Sequence, residues 1–114
     1  MKLTTWNIRG LGSKRKQINL SNRIKEENAN IVIIQETKCS IDKIRKIHRK
    51  WLIKYEYLEV KADKAAGGIL TLWNPQKLGI LDAEASRLYL SMVIQPLGDK
   101  EVYLITNVYG PQKV

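Results

Sequence analysis

The run Ile31-Val32-Ile33-Ile34-Gln35 constrains the fold more than any other part of this chain. Its four consecutive β-branched apolar residues leave no polar face, which is typical of a strand covered on both sides. Leu3 to Ile8 predicts an earlier strand, and Ser13 is expected to cap a helix of about Lys16 to Asn28 between the two. Strand, helix and strand in this order predict a βαβ unit with parallel strands and a right-handed crossover.

The remainder predicts one further helix and several strands. Ser40 is expected to cap the second helix. The buried stripe of that helix is expected to consist of residues at helical spacing: Ile41, Ile44, Ile47 and Trp51. The later strands are predicted at Tyr55–Val60, Ile69–Trp73, Ile80–Ala83, Leu88–Gln95 and Val102–Val108. A chain of 114 residues with this content suits one α/β domain.

The excess of basic residues indicates which kind of binding partner to expect. Lys and Arg number 20 against 11 Asp and Glu, a formal net charge of +9. Such an excess attracts polyanions such as nucleic acid or anionic lipid, although a solvated surface is the alternative. Cys39 is the only cysteine, which excludes an internal disulfide, and the N-terminus lacks the apolar stretch of a signal peptide. We therefore expect a soluble intracellular chain, in the nucleus or the cytoplasm, without a membrane partner.

Polar side chains follow three of the predicted strands: Asn7, Glu36 and Tyr109. The carboxyl ends of parallel strands meet at one edge of an α/β sheet, so Asn7 and Glu36 are expected in one ligand site. If the strand alternates past its end, Glu36 shares a side with Ile34, and a carboxylate there suits Mg²⁺. Plainer interpretations are a surface pair of Glu36 with Lys38, an Asx turn at Asn7 and a half-buried aromatic ring at Tyr109.

The segments WNIRG, IIQETK and NVYGP, in this order, resemble the first half of the endonuclease/exonuclease/phosphatase family. WNIRGLGS, QETK and GGILTLWNP are together most similar to the endonuclease domain of non-LTR retrotransposons. The resemblance implies a four-layer α/β sandwich. This chain would be the N-terminal half of that sandwich. It would have a mixed sheet with flanking helices, and the second sheet of the sandwich would be incomplete or missing.

The resemblance also implies roles for single residues. Glu36 would bind Mg²⁺ or Mn²⁺, Asn7 would support the phosphate or a catalytic aspartate, and Tyr109 would contact the phosphate. Further candidates for phosphate or substrate contact are Arg9, Lys38 and Asn107. Arg9 stands where abasic-site endonucleases carry an acidic residue, so a bidentate phosphate contact is expected there instead of a metal.

Two later segments of the family pattern, a GDFN-like and an SDH-like segment, do not occur in this sequence. His48, the single histidine, lies in the basic helix and is expected to be an ordinary helix residue. We therefore expect residues 1–114 to be a partial domain, truncated before its C-terminal catalytic motifs and inactive alone. Without a second sheet, Ile34, Leu70 and Leu72 would lie bare, which predicts self-association or a covering partner.

The expected function is that of the N-terminal part of a Mg²⁺-dependent, retrotransposon-type DNA endonuclease. An inositol- or sphingolipid-phosphate hydrolase of the same family is one alternative, because fold does not settle function. A catalytically inactive remnant that binds nucleic acid through charge is another. The basic helix favours nucleic acid, although a solvated charged face would have the same composition.

Overall fold

The computed structural model describes residues 1–61 and 67–109. The elements in chain order are β1 (Leu3–Asn7), α1 (Lys14–Glu27), β2 (Ile31–Gln35), α2 (Ile41–Trp51), β3 (Glu56–Val60), β4 (Ile69–Trp73), β5 (Leu78–Ala85), β6 (Tyr89–Pro96) and β7 (Tyr103–Val108). The first sheet has the order β1-β2-β4-β3, and the second sheet has the order β5-β6-β7. The predicted α/β class is confirmed. Gly110 and Pro111 of the NVYGP segment lie outside the described residues.

The predicted βαβ unit is confirmed. β1 and β2 are parallel, with Leu3 opposite Ile31 and Asn7 opposite Gln35. The Ser13 side chain accepts a hydrogen bond from the Lys16 N–H and so begins α1. The helix ends at Asn28, which adopts the left-handed conformation common at helix ends. In the described part of the chain, no helix is both long enough and apolar enough to cross a membrane.

β2 separates two hydrophobic cores. Val32 and Ile34 point toward the helices, whereas Ile31 and Ile33 point toward the second sheet. All four side chains are at most 7% exposed. The continuous apolar run of β2 is therefore explained by a helix layer on one face and a sheet on the other.

The expectation of a bare sheet face is wrong. Ile34, Leu70 and Leu72 are each at most 2% exposed, and they pack in the core under the helices. The second sheet is present and covers the opposite face. The error has a simple cause, since alternation defines two faces of a strand but not which layer covers each.

One further apolar position differs from expectation. Ile41 is 45% exposed rather than buried, because positions three apart drift by about 60° around a helix. Ile41 therefore lies about 120° from Ile47 and leaves the stripe.

On the outer face of β7, Leu104 and Val108 are 70% and 54% exposed. Self-association stays a prediction, with these side chains as its apolar surface.

Asn107 joins the two sheets. Its Nδ2 donates to the carbonyl oxygens of Ile34 and Leu70 at 3.2 and 3.1 Å and lies 3.1 Å from Thr71 Oγ1. Its Oδ1 accepts from Gln35 Nε2 at 3.1 Å. The residue is 1% exposed, so this amide from β7 is fully engaged between the layers.

We predict that Asn107→Ala lowers the free energy of unfolding by about 2–3 kcal/mol, because it unpairs Gln35 and leaves a void between the sheets. Urea unfolding followed by circular dichroism measures this. The matched control is the neighbouring Thr106→Ala, whose hydroxyl contacts Ser91 at an exposed position; its expected loss is below about 0.5 kcal/mol. Equal losses in the two variants would contradict the bridging role.

Candidate active site

Three loops meet at the edge of the first sheet where β1 and β2 end, here called the carboxyl edge. They are the loop after β1, the loop after β2 and the segment that leads into β4. Backbone hydrogen bonds join them: Gly10 N–H to Glu36 O (2.7 Å), Leu11 N–H to Thr37 O (2.8 Å), Thr37 N–H to Gly68 O (3.1 Å) and Lys38 N–H to Gly67 O (2.9 Å). The edge is thus a hydrogen-bonded unit and not a set of independent loops.

Several residues of the same loops adopt the left-handed backbone conformation. Arg9, Glu36 and Lys38 have φ of 53°, 57° and 52°. In the parts of the chain that the structure describes, the other non-glycine residue with positive φ is Asn28, the C-cap of α1. A non-glycine residue in this conformation costs about 1–2 kcal/mol. Conformations of this cost persist where the surroundings fix them, and they cluster at functional sites.

Glu36 is half-buried at the centre of this unit. Its left-handed backbone ends the alternation of β2, so the carboxylate does not simply continue the side of Ile34. Thr37 takes the enclosed position instead, at 2% exposure. The ion pair of Glu36 with Lys38, the plainer interpretation, does not occur in the described part of the chain, whose ion pairs are Arg23–Glu27 and Arg45–Asp42.

Three further predicted residues lie on the same loops as Glu36 or at the end of β1 beside them. Asn7, Arg9 and Lys38 are all exposed at the carboxyl edge. A Cβ built on Gly10 would lie 3.9 Å from Lys38 Cδ, so the lysine stem runs beside the β1 loop. Lys16 Nζ donates to the carbonyl oxygens of Ile8 and Arg9, each at 3.0 Å, and so fixes that loop. The sequence offered no signal for this role of Lys16.

Tyr109 reaches the same unit through one glycine. Its N–H donates to Leu88 O at 2.7 Å. A Cβ on Gly67 would lie 3.6 Å from Tyr109 Cε1, an ordinary contact distance, so the ring packs beside this residue. The φ of 76° at Gly67 is what favours glycine there. Gly67 also accepts the Lys38 hydrogen bond. The Tyr109 ring is therefore connected through Gly67 to Lys38, two residues after Glu36.

A cavity of about 690 Å³ opens beside Tyr109. Its lining includes Val60, Gly68, Arg87 and Leu88. The cavity lies between the end of β3 and the turn that joins β5 to β6. This volume is in the range of small-ligand pockets.

The predicted residues thus divide into two groups. The structure brings Asn7, Arg9, Glu36, Lys38 and Tyr109 to the carboxyl edge. It encloses the Asn107 side chain between the sheets, an arrangement that favours bridging over the predicted phosphate contact. His48 lies away from the edge: its Nε2 is 2.6 Å from Tyr55 O, and its ring centroid is 4.6 Å from that of Tyr57.

The fit of a divalent metal rests on Glu36. Within residues 1–61 and 67–109, no three His, Cys, Asp or Glu side chains are grouped closely enough to hold an ion. Mg²⁺ often uses only one or two carboxylates together with phosphate oxygens and water. Glu36 therefore fits one part of such a site and does not complete it.

Glu59 is a residue that the sequence analysis missed. Burial raises its pKa from 4.5 to about 6, and the neighbouring Arg45 opposes this rise. It borders the cavity beside Tyr109. From the sequence, a glutamate between Leu58 and Val60 is expected at an exposed position of an edge strand. Its partial burial follows from the packing of α2 near β3, which the sequence does not show.

Comparison with known proteins gives a consistent result. A sequence model of the Endonuclease/Exonuclease/phosphatase family matches residues 4–108. No curated protein is similar enough in sequence to match. Among solved structures, D. rerio TDP2 complexed with single-strand DNA product has a TM-score of 0.71 at 14% identity, over 96% of this chain and 46% of that chain.

Two further structures show the range of similar proteins. The AP endonuclease LMAP from Leishmania major has a TM-score of 0.71 at 18% identity, over 95% of this chain and 39% of that chain. A mannosyl-6-phosphatase of Bacteroides thetaiotaomicron has a TM-score of 0.72 at 10% identity, over 93% and 50%. The chain spans half or less of the length of these three proteins. At such identities the likeness shows a shared fold.

Substitution at Glu36 tests the left-handed backbone. We predict that Glu36→Gly is more stable than Glu36→Ala by about 1 kcal/mol, because only glycine adopts this conformation without a Cβ penalty. Chemical unfolding of both variants measures the difference. At the exposed helical position Lys43 the order should reverse by a similar amount. An alanine variant at Glu36 that equals or exceeds the glycine variant would contradict the assigned conformation.

The raised pKa of Glu59 predicts a pH dependence of stability. Since its pKa is about 6 in the folded protein and 4.5 ordinarily, the native state binds more protons between these values. Its contribution to stability therefore falls as pH rises through this window. Glu59→Gln should be more stabilising, relative to the parent, at about pH 8 than at about pH 4. The exposed Glu56→Gln is the control, and parallel pH profiles of the parent and Glu59→Gln would contradict the prediction.

Proposed function

The chain belongs to the endonuclease/exonuclease/phosphatase family, and on that premise we propose that it is the N-terminal part of a Mg²⁺-dependent phosphodiesterase. More specifically, we propose a DNA endonuclease of the non-LTR retrotransposon type. The observation that carries the proposal is the carboxyl edge, where Glu36 is held half-buried by backbone hydrogen bonds to the β1 loop and, through Thr37 and Lys38, to Gly67 and Gly68.

Each residue at the carboxyl edge has a chemical role in this proposal. A bound divalent cation would offset the negative charge of a phosphate, and Glu36 is the carboxylate that would hold it. The Asn7 amide can both donate and accept, and the Tyr109 hydroxyl can donate to a phosphate oxygen. Arg9 and Lys38 supply two exposed positive charges to the phosphate backbone. The catalytic base would come from residues outside this sequence.

DNA as substrate is supported by charge and by similar proteins. The net charge of +9 attracts polyanions. One solved structure of the same fold, D. rerio TDP2, is complexed with single-strand DNA product. The retrotransposon type is supported by the motif set WNIRGLGS, QETK and GGILTLWNP, and by Arg9 in place of an acidic residue.

A small phosphate ester is the second candidate substrate, as in an inositol- or sphingolipid-phosphate hydrolase. The cavity of about 690 Å³ beside Tyr109 favours it, since it has the size of a small-ligand site. A mannosyl-6-phosphatase also shares this fold. Competition between duplex DNA and inositol phosphates for the protein separates the two candidates. A third candidate, an inactive nucleic-acid-binding remnant, requires DNA binding that ignores both Mg²⁺ and Glu36.

Metal binding at the carboxyl edge is directly measurable with Mn²⁺ as a paramagnetic probe. We predict that Mn²⁺ broadens the amide NMR signals of Gly10, Thr37 and Lys38, and that excess Mg²⁺ reverses this. Glu36→Gln should abolish the broadening, because it removes the carboxylate. The exposed Glu56→Gln is the matched control and should leave it unchanged. Broadening that persists in Glu36→Gln, or that spreads over unrelated carboxylates, would remove the basis of the proposal.

Cleavage tests the partial-domain proposal separately. We expect the 114-residue chain not to nick supercoiled plasmid in Mg²⁺, because its lone histidine is engaged with Tyr55 and the sequence contains neither a GDFN-like nor an SDH-like segment. Nicking that requires Mg²⁺ and is lost in Glu36→Gln would show that these residues suffice. That result would contradict the partial-domain proposal while retaining the metal site.

A further inference from the structure

The two helices enclose a groove on the outer side of the molecule. Two hydrogen bonds join them: Trp51 Nε1 donates to Gln17 Oε1 at 3.2 Å, and Ser21 Oγ donates to Trp51 O at 3.3 Å. Gln17 and Ser21 therefore mark the side of α1 that faces α2. Lys14 precedes Gln17 by three residues and Lys25 follows Ser21 by four, so both lysines lie on that side.

A stripe of lysines along α2 reaches this groove at Lys50. Lys43, Lys46 and Lys50 recur at i, i+3 and i+7, which places them in one stripe along the helix. Lys50 lines a cavity of about 360 Å³ between the ends of α1 and α2, together with Lys25 and Lys54. The six lysines, here called the interhelical lysine groove, are Lys14, Lys25, Lys43, Lys46, Lys50 and Lys54.

None of these lysines forms an ion pair with the described residues, where the two ion pairs present are Arg23–Glu27 and Arg45–Asp42. Glu27 also accepts a hydrogen bond from Thr4 of β1, on the other side of α1. Glu27 and Asp42 are thus paired, and Glu26, five residues after Ser21, lies about 140° around α1 from it. The groove concentrates uncompensated positive charge on one surface.

We propose that the interhelical lysine groove binds the phosphate backbone of nucleic acid, as a surface separate from the carboxyl edge. Lys43 to Lys50 spans about 10 Å along the helix axis. One strand of a duplex presents a phosphate about every 3.4 Å of axis, so this span matches roughly three successive phosphates. The proposal goes beyond the proposed function, because binding here requires neither Glu36 nor a metal.

Nucleic acid fits this surface better than an anionic membrane. The apolar stripes of both helices face inward, with Leu20, Ile24, Ile44 and Ile47 at most 4% exposed. An interfacial helix instead inserts its apolar face among the lipids. Lys25 and Lys50 lie in the last turns of their helices and interact favourably with the helix dipoles, a structural role that changes stability without changing binding.

Fluorescence anisotropy with a labelled duplex of about 20 base pairs and arbitrary sequence tests the proposal, in EDTA so that metal binding cannot contribute. The groove variant is Lys25→Gln/Lys50→Gln/Lys54→Gln. Its charge-matched control is Lys2→Gln/Lys77→Gln/Lys100→Gln, at exposed positions outside the groove. We expect the groove variant to bind about tenfold or more weakly at ~100 mM salt and to lose roughly 2–3 from the slope of log K against log salt. The control should change binding by less than about threefold.

Three results would overturn the proposal. Equal weakening in the two variants would mean that only net charge matters. Unchanged DNA binding by the groove variant, with a lowered Tm, would limit the lysines to stabilising helix ends. Lost binding to phosphatidylserine vesicles with unchanged DNA binding would assign the groove to membranes. Because the readout is metal-free binding, failure here leaves the Mn²⁺ result at Glu36 unaffected, and the converse also holds.

Discussion

The strand Ile31–Gln35 has four consecutive apolar side chains, and the hydrophobic effect requires that both of its faces be covered. Two helices cover one face and a three-stranded sheet covers the other. The parallel β1 and the antiparallel β4 flank this strand, so three chain segments meet at its carboxyl end. The position of the candidate site is therefore a consequence of how this one strand is buried.

The backbone at that end serves two purposes. The loop hydrogen bonds satisfy the polar groups that the strands leave unpaired, as buried backbone requires. They also hold Arg9, Glu36 and Lys38 in left-handed conformations. A side chain on a fixed backbone loses little freedom when it binds a ligand, which is the advantage of preorganisation. The structure thus accepts local strain at the residues whose positions matter most to the proposed chemistry.

Much of this arrangement could be predicted from the sequence, because its signals are local. The run of β2, the cap at Ser13 and the boundaries of Ile69–Trp73 were predicted as they occur. The layer that covers each face of the sheet was not predicted, since nothing in the sequence around Ile34 and Leu70 indicates that the helices pack on them. Long-range contacts were not predicted for the same reason. They are the hydrogen bonds of Asn107 between the sheets, the partial burial of Glu59 and the hydrogen bonds of Lys16 to the β1 loop. Each depends on residues that the fold alone brings together.

Amide hydrogen exchange at the carboxyl edge tests the account most directly. Gly10, Leu11, Thr37 and Lys38 each donate their N–H to a neighbouring loop. If the edge is one hydrogen-bonded unit, these four amides are protected to a degree comparable with the amides of β2. Exchange of the four at the rate of an exposed loop, while β2 stays protected, would show that the edge is not preorganised and would contradict the proposed site.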